Sequence, residues 1–156
     1  MRLVSFFRAG FLKALICLLG LTLVTVTYAG AAEANGLRVE ISDIQYDGLS
    51  GRGLSEAELD GLKVSLWELP QGVWTAEKPE DAGQPQTLTL GGIGAEGVST
   101  LDGSAVDAML QAISAGYSNA GIAAERAVVT RGVLDRLLAE DSDRVLVIRI
   151  IEGRVG

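Results

Sequence analysis

The sequence predicts an α+β domain in which helices cover one face of a small three-stranded mixed sheet. Three observations lead there. Hydrophobic periodicity gives the order strand, helix, helix, strand, strand, and segregated runs of this kind make α+β domains. The stretch Val145-Leu146-Val147-Ile148-Arg149-Ile150-Ile151 is apolar on both faces except at Arg149, which marks a strand inside a sheet. The segments Leu37–Tyr46 and Ile122–Thr130 are then its two neighbours, each with an open edge.

Residues 1–31 read as a secretory signal peptide. Arg2, Arg8 and Lys13 give a positive start, Ala14 to Val26 is apolar, and Ala29, Gly30, Ala31 and Ala32 are small. That order of charge, apolar core and small-residue exit is what export machinery and signal peptidase read. Cleavage after Ala29 or Ala31 fits. The competing reading, a membrane anchor, is weakened by Thr22, Thr25 and Thr27 and by the lack of charges that would stop transfer. Cys17 lies inside the apolar run, which argues against lipid attachment at a cleavage site.

Composition excludes much chemistry. The 156 residues include no histidine and one cysteine, so Cys/His metal sites, Ser-His-Asp triads and disulfide frameworks have no material. No cofactor or metal is expected. Of 13 basic side chains three lie in the signal, leaving 10 against 20 acids, formally −10. Such a domain repels phosphate backbones, so nucleic acid is not expected as a partner.

The first strand covers Leu37, Val39 and Ile41, then shifts phase at Ser42-Asp43 and resumes with Ile44 and Tyr46. A one-residue shift turns the second half outward unless a bulge absorbs it, so one bulged strand is expected, ended by Asp47-Gly48. Ser55 and Glu58 are spaced as a capping box. Leu59, Leu62, Leu66 and Leu69 follow at helical spacing, and Pro70 ends the run, which predicts a first helix from Ser55 to Leu69. Residues 70–100 hold Pro70, Pro79 and Pro85 and many glycines, and read as a long insertion between the helices. Within it, Val73-Trp74 and Thr87–Leu90 are expected to pair as a hairpin. The second helix runs from about Ser104 to Asn119: Val106, Met109, Leu110, Ile113 and Tyr117 share one face, Asp102 or Ser104 caps its start, and Gly121 stops it. After the Ile122–Thr130 strand, Val133, Leu134, Leu137 and Leu138 suggest a short helix. Glu140 to Arg144 is a turn.

Three places resemble the POTRA domain, the polypeptide-transport-associated module, most closely its ShlB type from the outer-membrane transporters of two-partner secretion. Val39-x-Ile41-x-x-Ile44-x-Tyr46-x-Gly48 resembles the family's opening strand, Tyr117-x-x-x-Gly121 the end of its second helix, and Val147-Ile148-Arg149-Ile150-Ile151-Glu152-Gly153-Arg154-Val155 its closing strand. The resemblance spans about residues 37–156 and assigns 32–156 to one POTRA-like β-α-α-β-β domain. Gly48, Tyr117, Gly121, Glu152, Gly153 and Arg154 are its structural motif residues. The chain departs from the family where Thr130-Arg131-Gly132 and a helix replace a Pro/Gln stretch, in the length of the 70–100 insertion, and at Ile122, where an aromatic is usual. No barrel strands follow within the 156 residues, so the expectation is a free module or the front of a longer protein.

The resemblance implies a periplasmic protein, associated with the outer membrane, that binds extended polypeptide during secretion or outer-membrane assembly. Its partners would be client polypeptides and an outer-membrane β-barrel. The physics is strand addition: an open sheet edge offers unpaired N–H and C=O groups to a client backbone. The expected edge is Ala124 to Thr130, with Ala124, Arg126, Val128, Thr130 and Arg131 as the binding residues. The same arginines would equally serve an ordinary protected edge. A different reading is an adaptor domain docked to an envelope partner through the 70–100 insertion, with Trp67 and Trp74 as anchors. Catalysis would rest on carboxylates alone, and Asp102, Asp107, Glu140, Asp141 and Asp143 fall on helix starts and turns, where capping accounts for them. No enzyme activity or small-molecule substrate is expected.

Overall fold

The computed structural model describes residues 36–122 and 126–152. The proposed signal segment, Ala124, Gly153 and Arg154 lie outside the described residues. The fold is α+β. Its elements are β1 (Arg38–Ile41), β2 (Asp43–Asp47), α1 (Glu56–Asp60), β3 (Lys63–Glu68), β4 (Val73–Thr75), β5 (Gln86–Thr89), a 3-10 turn at Leu90–Gly92, β6 (Ser99–Asp102), α2 (Gly103–Asn119), β7 (Arg126–Val128), α3 (Arg131–Leu137) and β8 (Val145–Ile151).

The strands form two sheets, of order β1-β6-β4-β3-β5 and β2-β8-β7. The smaller sheet is the mixed, three-stranded one expected. β8 is central, parallel to β2 from Asp43↔Val145 to Asp47↔Arg149, and antiparallel to β7 from Arg126↔Ile151 to Val128↔Arg149. The larger sheet is not anticipated by the sequence reading.

The phase shift at Ser42 is a change of sheet, not a bulge. β1 pairs with β6 and β2 with β8. Ser42 N–H donates to the carbonyl of Arg144 at 2.8 Å, pinning the corner to the start of β8. Strands that switch sheets make the corners of packed-sheet cores. The shift lets Val39 and Ile41 enter the core from one sheet and Ile44 from the other.

The first helix is one turn long, a correction to the Ser55–Leu69 expectation. The capping box forms: Glu58 N–H donates to Ser55 Oγ, and Ser55 N–H donates to Glu58 Oε2 at 2.8 Å. The Ser55 hydroxyl, which donates to Glu58 Oε2 at 2.6 Å, and then the Ser55 N–H hold the Glu58 carboxyl below its ordinary pKa. The helix stops at Gly61, and Lys63-Val64-Ser65-Leu66 continues as strand, with Val64 and Leu66 buried and Lys63 and Ser65 exposed. The leucines at helical spacing overlie this period-two pattern, and the β-branched and aromatic residues favour strand.

The 70–100 region contributes β4, β5 and the start of β6 to the larger sheet, and the expected hairpin does not form. β3 separates its two arms: β4 pairs with β3 at Trp67↔Thr75, and β5 pairs with β3 from Lys63↔Thr89 to Leu66↔Gln86. β4 also lies parallel to β6. Thr75, only 3% exposed, shares a hydrogen bond with Ser104 Oγ at 3.0 Å, and Ser104 donates to Asp102 Oδ1 at 2.7 Å. Asp102 caps α2 by accepting from Ala105 N–H at 2.9 Å. One polar chain thus fastens β4 to the start of the long helix.

α2 forms as expected and presents Val106, Met109, Ile113 and Tyr117 to the core. It touches β3, β4 and β6 of one sheet and β7 of the other, while α3 touches β1 and β8. The small sheet is therefore packed by α2, the predicted second helix, on β7 and by α3 on β8, while α1 meets it through the Tyr46–Asp60 hydrogen bond. A single apolar cluster joins both sheets, with Leu59, Leu66, Leu101, Met109, Leu146 and Ile148 fully buried.

Tyr46 ties β2 to α1 by donating to Asp60 Oδ1 at 3.1 Å. Partial burial, then the Asp60 charge and hydrogen bond, raise its pKa well above the ordinary tyrosine value. Tyr46 is therefore expected to stay protonated where an ordinary tyrosine ionises, near pH 10. Because the folded pKa is raised, the stability it contributes is present below that pH and is lost as pH rises toward the folded pKa. Phenolate absorbance during an alkaline titration checks this; Asp60→Asn should move the Tyr46 transition to lower pH.

Candidate functional site: an open sheet edge and the motif residues behind it

β7 is the outermost strand of the small sheet, paired on one side by β8. Directly paired residues share a sheet face. Arg126 and Val128 therefore lie on the same face as Ile151 and Arg149, and Ala127 on the face of buried Ile150. The first of these faces is open: Arg149 is exposed and pairs with Asp47 across the strands at 3.0 Å, and Ile151 is 49% exposed. On the other side, α2 runs against β7. An extended chain added to β7 would meet Arg126 and Val128 on one side and the helix on the other.

The expected edge is longer than the strand observed. Among the described residues only Arg126, Ala127 and Val128 are strand. Thr130 is the N-cap of α3, and Arg131 is its first residue. Thr130 and Arg131 are exposed, but they belong to a helix start, where the Thr130 carbonyl accepts from Val133 and Leu134 and the chain has left the strand. Of the proposed binding residues, Arg126 and Val128 keep a place on the edge.

The motif residues converge from three distant points of the chain. Gly48 follows β2 with φ of +90°, and a Cβ there would collide with the carbonyl oxygen of Ile150 on β8. Tyr117, near the end of α2, is fully buried. Glu152, after β8, accepts from Ser50 N–H at 3.3 Å. The backbone at Gly53 passes so close that a Cβ would stand 2.6 Å from Tyr117 Cε1 and 2.7 Å from Glu152 Oε1. The loop from Gly48 to Gly53 therefore packs down onto the ends of α2 and β8. Gly121, with φ of +73°, ends α2: its N–H donates to Ser118 and that of Ile122 to Tyr117, the paired bonds of a Schellman stop. None of these residues lies on the open edge.

Among the described residues no group of His, Cys, Asp and Glu is arranged to hold a metal, and no helix is long and apolar enough to cross a membrane. Compared with known protein families, with curated proteins and with solved structures, the chain shows no match.

Proposed function

We propose that this chain is an exported, POTRA-like module of the ShlB type. It binds extended client polypeptide in the periplasm, in secretion or outer-membrane assembly, by strand addition at β7. One observation carries the reading: the C-terminal strand β8 sits mid-sheet, parallel to β2, and leaves the short strand β7 outermost beside α2. Main-chain hydrogen bonds to an edge are indifferent to client sequence, which suits a transport module. Arg126 on the open face keeps the edge from pairing with another copy of itself, while a client supplying an acidic or polar side chain opposite is tolerated.

Proline scanning tests it. β7 bonds β8 through alternate residues, so one of Ala127→Pro and Val128→Pro removes an outward donor and leaves the ladder intact. The variant that keeps the wild-type melting temperature should bind a fluorescein-labelled decapeptide of alternating valine and threonine about tenfold more weakly. Amide exchange at residues 126–128 of the unmodified protein should slow when that peptide is added. Unchanged affinity together with unchanged exchange would overturn the proposal.

A further inference from the structure

β5 is the outermost strand of the larger sheet, paired on one side with β3. Leu90 N–H donates to the carbonyl of Leu62 at 2.9 Å, and bonded pairs recur at every second residue of an antiparallel ladder. Val64↔Leu88 and Leu66↔Gln86 are therefore bonded pairs. Thr87 and Thr89 turn their backbone groups away from β3, and both residues are exposed. Two features limit what that row offers. Thr89 is the N-cap of the 3-10 turn and gives its carbonyl to it. Pro85 precedes the strand in the same outward phase and has no N–H. The row thus presents the Pro85 carbonyl, both backbone groups of Thr87 and the Thr89 N–H.

That row is complementary to itself. Laid antiparallel about a two-fold axis at Thr87, each Thr87 exchanges both its bonds with the other copy. Each Thr89 N–H then meets the Pro85 carbonyl of the other copy. The donor that Pro85 lacks falls opposite the carbonyl that Thr89 has already spent. Charge selects the same occupant. Residues 82–95 carry no charged side chain in a chain of net charge −7, so two copies meet here without like charges opposed. The other outer strands are charged: Arg38 and Glu40 on β1, Asp43 and Asp47 on β2, Arg126 on β7, the usual guard against self-pairing. We infer that β5 is a self-association edge, through which two copies of this chain pair antiparallel about Thr87 and join their larger sheets. The pairing goes beyond strand addition at β7 and does not depend on it.

Sedimentation velocity of the full chain in reductant is expected to show a reversible monomer–dimer equilibrium over a concentration series. Thr87→Pro removes an outward donor from each copy and leaves the β3 ladder whole. It should keep the melting temperature and raise the dimer dissociation constant about tenfold. Thr87→Lys, at an exposed position, sets like charges directly opposite and should weaken the dimer too, most at low salt. The β7 proline variant that keeps its melting temperature should dimerise as wild type. Register is read by oxidation in a Cys17→Ser background. Thr87→Cys places its thiols across the axis, within disulfide reach, and should cross-link. Leu88→Cys sets them two residues out of step, beyond about 7 Å, and should not. A chain that stays monomeric, a dimer unmoved by both Thr87 variants, or faster cross-linking through Leu88→Cys would overturn the inference. So would a dimer lost only in the β7 variant. A monomer whose amides at 86–89 slow their exchange when the valine–threonine peptide is added would give this edge to a client strand, and would overturn it as well.

Discussion

Truncating Tyr117 to alanine is expected to cost about 3–5 kcal/mol of stability, the range for deleting a large buried ring. Tyr117 is the largest of the fully buried side chains and the last apolar residue on the core face of α2. Its ring lies under the loop at Gly53, whose backbone leaves no room for even one added carbon. Removing the ring opens a space that this loop cannot fill without leaving Glu152, and α2 is the helix that touches β7. Against a total stability of about 5–15 kcal/mol for an ordinary domain, a loss of this size leaves the edge poorly ordered, and peptide affinity should fall with it. Tyr117→Phe keeps the ring and should cost no more than about 1–2 kcal/mol. Urea unfolding of the two variants measures both. A loss below about 1 kcal/mol for the alanine variant would mean that the ring is not part of the core.

What could be read from the sequence divides along the range of the interactions. α2 was legible because its signals are local: Asp102 caps it, and Val106, Met109, Ile113 and Tyr117 recur on one face. The central place of β8 was legible because only an interior strand tolerates so apolar a run, although its open face turns out to carry Arg149 and the half-exposed Ile151. The first helix was misread because two periods coexist. Leu59, Leu62 and Leu66 fit a helix, and Val64 and Leu66 fit a strand; Gly61 falls where the chain changes from one to the other. The larger sheet was hidden because its partners are distant or parallel. β4 meets β6 and not β5, and short strands buried on one side carry little alternation to read. The site shows the same division. Arg126 and Val128 were placed correctly on an outer strand, but its end before Thr130 depends on where α3 begins.

Gly48→Ala is expected to destabilise the domain by about 2–4 kcal/mol, through two effects that a second glycine separates. The first is backbone strain. An L-residue held at positive φ costs roughly 1–2 kcal/mol, and Gly48 sits at +90°. Gly121 bears the same strain at +73°, yet a Cβ there meets nothing within 4 Å. Gly121→Ala therefore reports the strain alone, about 1 kcal/mol. The second effect belongs to Gly48 only. Its Cβ would press on the carbonyl oxygen of Ile150, and a backbone atom of a central strand cannot swing aside as a flexible side chain does. Ile150 is 3% exposed and lies opposite Ala127 of β7. Any displacement that relieves the clash moves the end of β8 that pairs with β7, and with it the register of the outer strand. The Gly48 variant should thus lose peptide binding at β7 even at temperatures where it stays folded, whereas the Gly121 variant keeps it. Equal losses of stability in the two variants, measured by chemical unfolding, would show that φ alone matters and that the contact between Gly48 and Ile150 does not position the edge.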